Sequence, residues 1–530
     1  MKKFIKGLCL AIACTTLVSG FAGCAKENTG STAAEAKADF PLKTPITLNV
    51  WGFAVNGVVP KYLKTMADSD FYKTISAKTN VKLVFTSPAQ GQEQDQFNIM
   101  VSSGAYPDLI EGVGGLYSGG GDKAIQDGVI LKLNDLIDKY APHYKKLLDS
   151  SPTIKKDLVS DSGNMYAFGE INQGEAEGPW AGPTVRQDWL DELGLKTPVT
   201  YDDWHTMLVA FKEKKGATMP LTIGSKGLMD YDNFCGGFGF DTGMWFQVNG
   251  KVRYSPLEPG YKQYITTMHQ WYSEGLIDRD FAGNTTFDAT LKKFTSKNCG
   301  AFVSAQAMWP VYTAQAKVSQ PKYHLVAVPN PVQKVGDKVH IRLSNPIANT
   351  GDGFSISKSC KNPEIAAKFL DYMYTDEMTL AANYGTLGKT YDMVNGKPKL
   401  RDIMTQSNPK GMSLVEVNAV YGLNNGSFFK DWKKNYTGNT ADQLNSMKIW
   451  EAADDSYVMP PITLTSDEGT QYSSIMSDLN TFVQENTIKF IIGGESLSSY
   501  DAFIKKIKSM NIDQANSLEQ AALDRYEARK

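Results

Sequence analysis

The chain has 530 residues, 55 Lys and Arg against 57 Asp and Glu, and a formal net charge of −2. At 42% hydrophobic and 21% charged it has enough apolar side chains for large cores, and a chain this long divides into two or three domains. The near-neutral balance argues against a general nucleic-acid binder, which needs a basic surface, and six Cys with no C-x-x-C argue against a disulfide scaffold or zinc ribbon.

The N-terminus reads as an address. Lys2, Lys3 and Lys6 precede an apolar run from Leu8 to Val18, and small Ala22 and Gly23 stand just ahead of Cys24. The run is far shorter than the roughly 20 residues needed to span a bilayer, so residues 1–23 are expected to be an export signal. Phe21-Ala22-Gly23-Cys24 resembles the lipobox of bacterial lipoproteins, with Phe21 where Leu is preferred. The resemblance implies cleavage before Cys24 and diacylation of its thiol, and two acyl chains anchor stably where one does not. Residues 24–40 then form an Ala-, Lys-, Glu- and Thr-rich segment without hydrophobic period, expected to be a flexible tether with a reach of ~20 Å.

In the body, Ile46, Leu48 and Val50 alternate into Trp51-Gly52-Phe53, a strand by period. Leu63, Met66, Phe71 and Ile75 predict a helix over 60–79; Val81, Leu83 and Phe85 alternate again; residues 94–101 suit a helix and 107–110 a short buried strand. Strands separated by helices imply βαβ units, with ligands beyond the carboxyl ends of strands. Further on, 185–193 reads as strand-to-helix, and 202–215, 261–274, 363–375, 472–490 and 500–510 as helices. The Gly-rich stretch 112–121 is expected to be a loop at a cleft edge.

Catalytic signatures are absent: no G-x-S-x-G, H-E-x-x-H or G-x-G-x-x-G occurs. Asn383 to Thr390 imitates a phosphate loop, but Asn383 holds the first Gly position and a helix precedes it. Glu170, Glu175 and Glu177 could supply a glycosidase acid/base pair; three Glu in a Gly-rich segment also read as a solvated loop.

Five segments in order then resemble one family. Ser102-Ser103-Gly104 through Pro107-Asp108-Leu109-Ile110, Arg186 to Leu195 (RQDWLDELGL), Trp271 to Asp278 (WYSEGLID), Ser357 to Glu364 and Tyr384 to Tyr391 (YGTLGKTY) are similar to family 1 extracellular solute-binding proteins. Those are lipoprotein receptors of carbohydrate ABC importers, in the branch of alginate- and maltose-binding proteins. The resemblance implies an α/β, two-lobed type II periplasmic-binding-protein fold. Each lobe would be a mixed, mainly parallel sheet flanked by helices, with the ligand cleft at the hinge. The expected division is 41–170 plus 350–390 for the N-terminal lobe and 171–349 plus 391–530 for the C-terminal lobe. It also implies a non-enzymatic, monomeric receptor on the outer face of a Gram-positive cell membrane. That receptor would capture an oligosaccharide and hand it to permease subunits, with no cofactor and no nucleic acid. The rival readings are a cell-surface polysaccharide-degrading enzyme and a receptor for a peptide or other small solute. Relatives of the alginate type carry a calcium loop where this chain reads KEKKGATMP over 212–220; three Lys and no Asp cannot cage calcium, so no metal is expected there.

Sugar sites combine aromatic platforms with a few fixed polar groups. Trp309 falls where maltose-binding relatives place a stacking Trp, with a core role as its alternative. Trp51 at the end of the first strand and Trp180, just beyond the hinge crossing that the resemblance implies near Gly169 to Gly174, are further candidates. Arg186 is placed either to bind hydroxyls or a uronate, or to pair with Asp188 or a hinge carboxylate. Trp245 and Glu111 complete the candidates, core packing being equally open for Trp245. Of the Cys residues beyond Cys24, the odd set Cys235, Cys299 and Cys360 allows at most one disulfide.

Overall fold

The computed structural model describes residues 40–53, 58–89, 91–174, 178–223, 234–241, 243–284, 287–341, 346–405, 408–423, 426–437 and 439–529. The export signal, Cys24 and nearly all of the tether lie outside the described residues, as do Glu175 and Glu177. Ten strands build two main sheets. They are β1 (Ile46–Trp51), β2 (Val81–Thr86), β3 (Leu109–Glu111), β4 (Phe168–Asn172), β5 (Ala181–Arg186), β6 (Met219–Leu221), β7 (Cys299–Ala305), β8 (Leu325–Ala327), β9 (Ala348–Ile356) and β10 (Phe429–Lys430). The first sheet has the order β10-β4-β9-β3-β1-β2 and the second β8-β5-β7-β6.

In the first sheet β1 runs parallel to β2 and β3, and β10 parallel to β4, while β9 lies antiparallel between β3 and β4. In the second, β6 is parallel to β7 and β5 antiparallel to both β7 and β8. The α/β, two-sheet architecture is as expected. The sheets are evenly mixed rather than mainly parallel, because β9 re-enters the first sheet from the far side of the second.

Local rules explain many of the elements. Along β1 the apolar positions Leu48 and Val50 are buried and Thr47 and Asn49 face solvent. The helix Tyr201–Lys215 opens with a Thr200–Asp203 capping box, carries Asp202 and Asp203 in its first turn and three Lys in its last, and ends at Gly216. Its inner face contributes Trp204, Leu208 and Phe211 to the core of the second half. The helix Ser466–Ile492 starts from a Thr465–Glu468 capping box and stops at Gly493. Two expectations differ. The helix expected over 60–79 is regular only over Asp70–Thr79, because Ser69 caps a new start there. The Gly-rich run contains two short helices, Val113–Leu116 and Gly120–Gln126.

The strand pairing also moves a boundary. Because β10 pairs with β4, the first sheet keeps the chain to Lys430, beyond the cut expected at residue 390. The helix Ala441–Trp450 then packs on β8 and β5, and the C-terminal helix Ile512–Ala528 returns to the first half. There the Tyr526 hydroxyl donates to Asp157 at 2.6 Å, and Arg525 and Arg529 both pair with Asp161. Cys235, Cys299 and Cys360 are all buried, and none of the three is in a disulfide. No described helix is long and apolar enough to cross a membrane.

The join between β5 and the helix Ala441–Trp450 depends on one missing side chain. A Cβ at Gly182 would lie 2.5 Å from the buried Trp450 indole. Gly182→Ala is therefore expected to lower the unfolding free energy by about 1–3 kcal/mol, read from urea denaturation.

Candidate functional site

A cavity of about 1150 Å³ lies where elements of the two sheets face each other. The first half contributes the Gly114–Asp122 stretch, Tyr166, Glu170 at β4 and the Thr350–Asp352 stretch of β9. The second contributes Trp180 and the Ala305–Ala307 end of β7, and the helices Ser466–Ile492 and Ile512–Ala528 close the remaining side. The described residues hold no cluster of His, Cys, Asp and Glu able to bind a metal ion.

The fold aims several of these groups deliberately. Pairing of β9 with β4 shifts register between Asn349 and Phe354, and Thr350 and Asp352, two positions apart in that stretch, both line the cavity. The Thr350 hydroxyl bonds the Tyr166 hydroxyl at 2.7 Å. The Tyr166 ring lies so close to Gly121 that a Cβ there would sit 2.5 Å from it, which is why the Gly-rich run carries no side chain at that point. Asp122 follows directly. Its Oδ1 accepts from the Ser160 hydroxyl and the Asn164 amide, both at 2.8 Å.

Electrostatics on the walls are set by burial. Glu170 on β4 faces Lys430 at 3.4 Å, both nearly buried. Burial raises the carboxyl of Asp352, against the pull of Lys430, and burial also raises Asp157. On the opposite wall the Trp245 Nε1–H donates to the Tyr472 hydroxyl at 2.7 Å. Tyr472 in turn bonds Glu519, whose carboxyl burial pushes up to about 7.

Of the residues expected from sequence, Trp180, the Glu170 region and residues 114–121 of the Gly-rich stretch border the cavity. Trp309 is 4% exposed in the second-half core, edge-on to Trp450, with its Nε1–H donating to the Ser304 hydroxyl at 3.0 Å. Its ring is spent on packing rather than presented as a platform. Trp51 is equally buried, edge-on to Phe53 and Phe97 behind Tyr166. Arg186 forks onto Asp188, bonds Gln320 and is sandwiched by the Trp189 and Tyr323 rings, remote from the cavity lining. Burial raises the Glu111 carboxyl well above the ordinary range, against the hydrogen bond it accepts from the Phe53 N–H at 2.7 Å. Trp245 touches the site only through Tyr472. Sequence reasoning missed Asp122, Tyr472, Lys430 and Glu519. The Gly-rich run was a signal for Asp122; Glu519 sits on an ordinary amphipathic helix and offers none.

Two mixed sheets joined by several crossings, with an aromatic and polar cavity between them, define a two-lobed binding protein. Residues 56–379 match the bacterial extracellular solute-binding protein family, and the chain belongs to it. It is 22% identical to the fructooligosaccharide ABC transporter substrate-binding protein FusA of Streptococcus pneumoniae, over 98% of each chain. It is 23% identical to lipoprotein LipO of Bacillus subtilis over 71% of this chain and 72% of that one. Among solved structures, the alginate-binding protein AlgQ2 without calcium ion superimposes with a TM-score of 0.78 at 23% identity, covering 92% of this chain and 99% of that one.

Glu519 yields a stability test. Its folded carboxyl holds a proton more tightly than the unfolded one, so it favours the native state at low pH. That contribution is lost as pH rises from the ordinary Glu range to about 7. The loss is on the order of 3 kcal/mol at about 1.4 kcal/mol per pH unit. Glu519→Gln is expected to flatten this part of the stability curve, measured by urea unfolding in steps between acid and neutral pH.

Proposed function

We propose that this chain is the extracellular receptor of an ABC importer and holds an oligosaccharide between its two lobes without chemically altering it. The observation that carries the reading is the cavity itself. At about 1150 Å³ it exceeds the roughly 300–1,000 Å³ of small-molecule pockets, and it combines rings such as Trp180 and Tyr166 with carboxylates and amides. Rings stack on the C–H faces of sugars while the polar groups meet hydroxyls. The relation to FusA supports the same class of ligand. Hinge closure of the two lobes around the ligand would create the form a permease recognises.

A thermal-shift screen over oligosaccharide families tests the reading, and sustained turnover of a bound glycan would overturn it in favour of an enzyme. Within that screen Trp180→Ala is expected to weaken binding about tenfold or more with little change in stability, as a half-buried stacking ring should. Trp309→Ala is expected to cost about 3–5 kcal/mol of stability, as for a core aromatic, before any effect on affinity.

The same proposal includes the anchor. Cys24, diacylated after cleavage of residues 1–23, would hold the receptor at the outer face of the cell membrane, and the relation to lipoprotein LipO supports it. Cys24→Ser is expected to move the protein from the detergent phase to the aqueous phase in a phase-partition assay.

A further inference from the structure

The cavity wall carries a charge pattern that narrows the ligand. Its described lining holds five carboxylates, Asp122, Asp157, Glu170, Asp352 and Glu519, against a single cationic side chain, Lys430, and no Arg. Lys430 is already engaged with Glu170. Behind the wall, Lys434 donates to Asn418, but its burial lowers the ammonium to about 7. Arg525 and Arg529 are held by Asp161 and Glu468. Arg186, the group best shaped for a uronate, is closed onto Asp188 elsewhere.

One of the five carboxylates is visibly incomplete. Asp122 is 7% exposed, its Oδ1 takes two hydrogen bonds, and its buried Oδ2 has no partner among the described residues. A buried carboxylate oxygen without a donor is costly, and a ligand hydroxyl would supply one as a charge-assisted hydrogen bond.

We infer that the cavity selects oligosaccharides that carry no carboxylate, with Asp122 Oδ2 receiving a hydrogen bond from a ligand hydroxyl. The inference rests on the oligosaccharide reading above and specifies its ligand class. Sugar hydroxyls are donors as well as acceptors, so they suit a wall of carboxylates. A uronic-acid chain would bring further carboxylates against a wall of carboxyl groups whose one lining cation already faces Glu170, leaving no cation to pair with them.

The experiment is calorimetric titration of the full chain with two sets of oligosaccharides of matched length. One set is neutral (fructo-, malto-, xylo-, manno- and galacto-oligosaccharides); the other is oligogalacturonates and alginate oligomers. At least one neutral member should bind and no uronate should. Uronate binding as tight as, or tighter than, the best neutral member overturns the inference while leaving an oligosaccharide receptor standing. Binding by neither set overturns the receptor reading, and the inference falls with it. Asp122→Asn puts an amide donor in reach of the Oδ2 position and should weaken the neutral ligand about tenfold or more, with the unliganded melting temperature read alongside. Unchanged affinity in a folded variant overturns the role of Asp122; the wild-type comparison of the two sets does not depend on that variant folding.

Discussion

The insertion of β9 between β3 and β4 is the constraint on which the rest of this molecule depends. Ala348–Ile356 pairs antiparallel with both neighbours, so the first sheet is complete only after the chain has built β5 to β8 in the second and returned. The two halves are therefore tied by covalent crossings, and the ends of their strands are brought to one shared space. The register shift within β9 falls at that space. Thr350 and Asp352, two positions apart and so on one face of the strand, both line the cavity there.

Long-range side-chain contacts then consolidate what the crossings impose. The helix Ser466–Ile492 buries Met476, Leu479, Val483 and Phe490 in the second-half core, while its first residues reach the cavity and the first-half helix Gly120–Gln126. The C-terminal helix adds Tyr526 on Asp157 and two Arg on Asp161. Buried ion pairs of this kind contribute modestly to net stability, since desolvation offsets much of the attraction. They do fix which surfaces meet, and here the surfaces they join are the walls of the cavity.

The chemistry of the site follows from the same burial. Carboxyl groups taken out of water rise in pKa unless hydrogen bonds or cations compensate. Asp352, Asp157 and Glu519 all rise, with burial as the first cause, although each has a compensating neighbour. Glu170 opposite Lys430 is a paired carboxylate in the cavity wall. Rings such as Trp180 and Tyr166 provide apolar faces beside those acceptors. Together they favour a ligand with many hydroxyls and apolar C–H surfaces.

Periodicity and caps are local, and so they were legible without coordinates. The alternation at Leu48 and Val50, the Thr200–Asp203 box and the Gly216 stop describe a strand and a helix that tertiary packing had no reason to override. Five ordered segments likewise pointed to the family, because they preserve residue types in sequence order. Which tryptophan faces a ligand is a different kind of question. Trp309, Trp51 and Trp180 look alike in sequence, yet Trp309 is buried against Trp450 and Trp51 against Phe97, partners brought near by topology, with Phe53 adding a local ring beside Trp51. Only Trp180 was left at the cavity, and Asp122, Tyr472 and Glu519 arrived there from separate stretches of chain. Local pattern thus specified most of the elements, the family and the class of chemistry to expect. Which rings and carboxylates line the cavity was decided by the fold, because that depends on bringing together stretches of chain as far apart as Asp122 and Glu519.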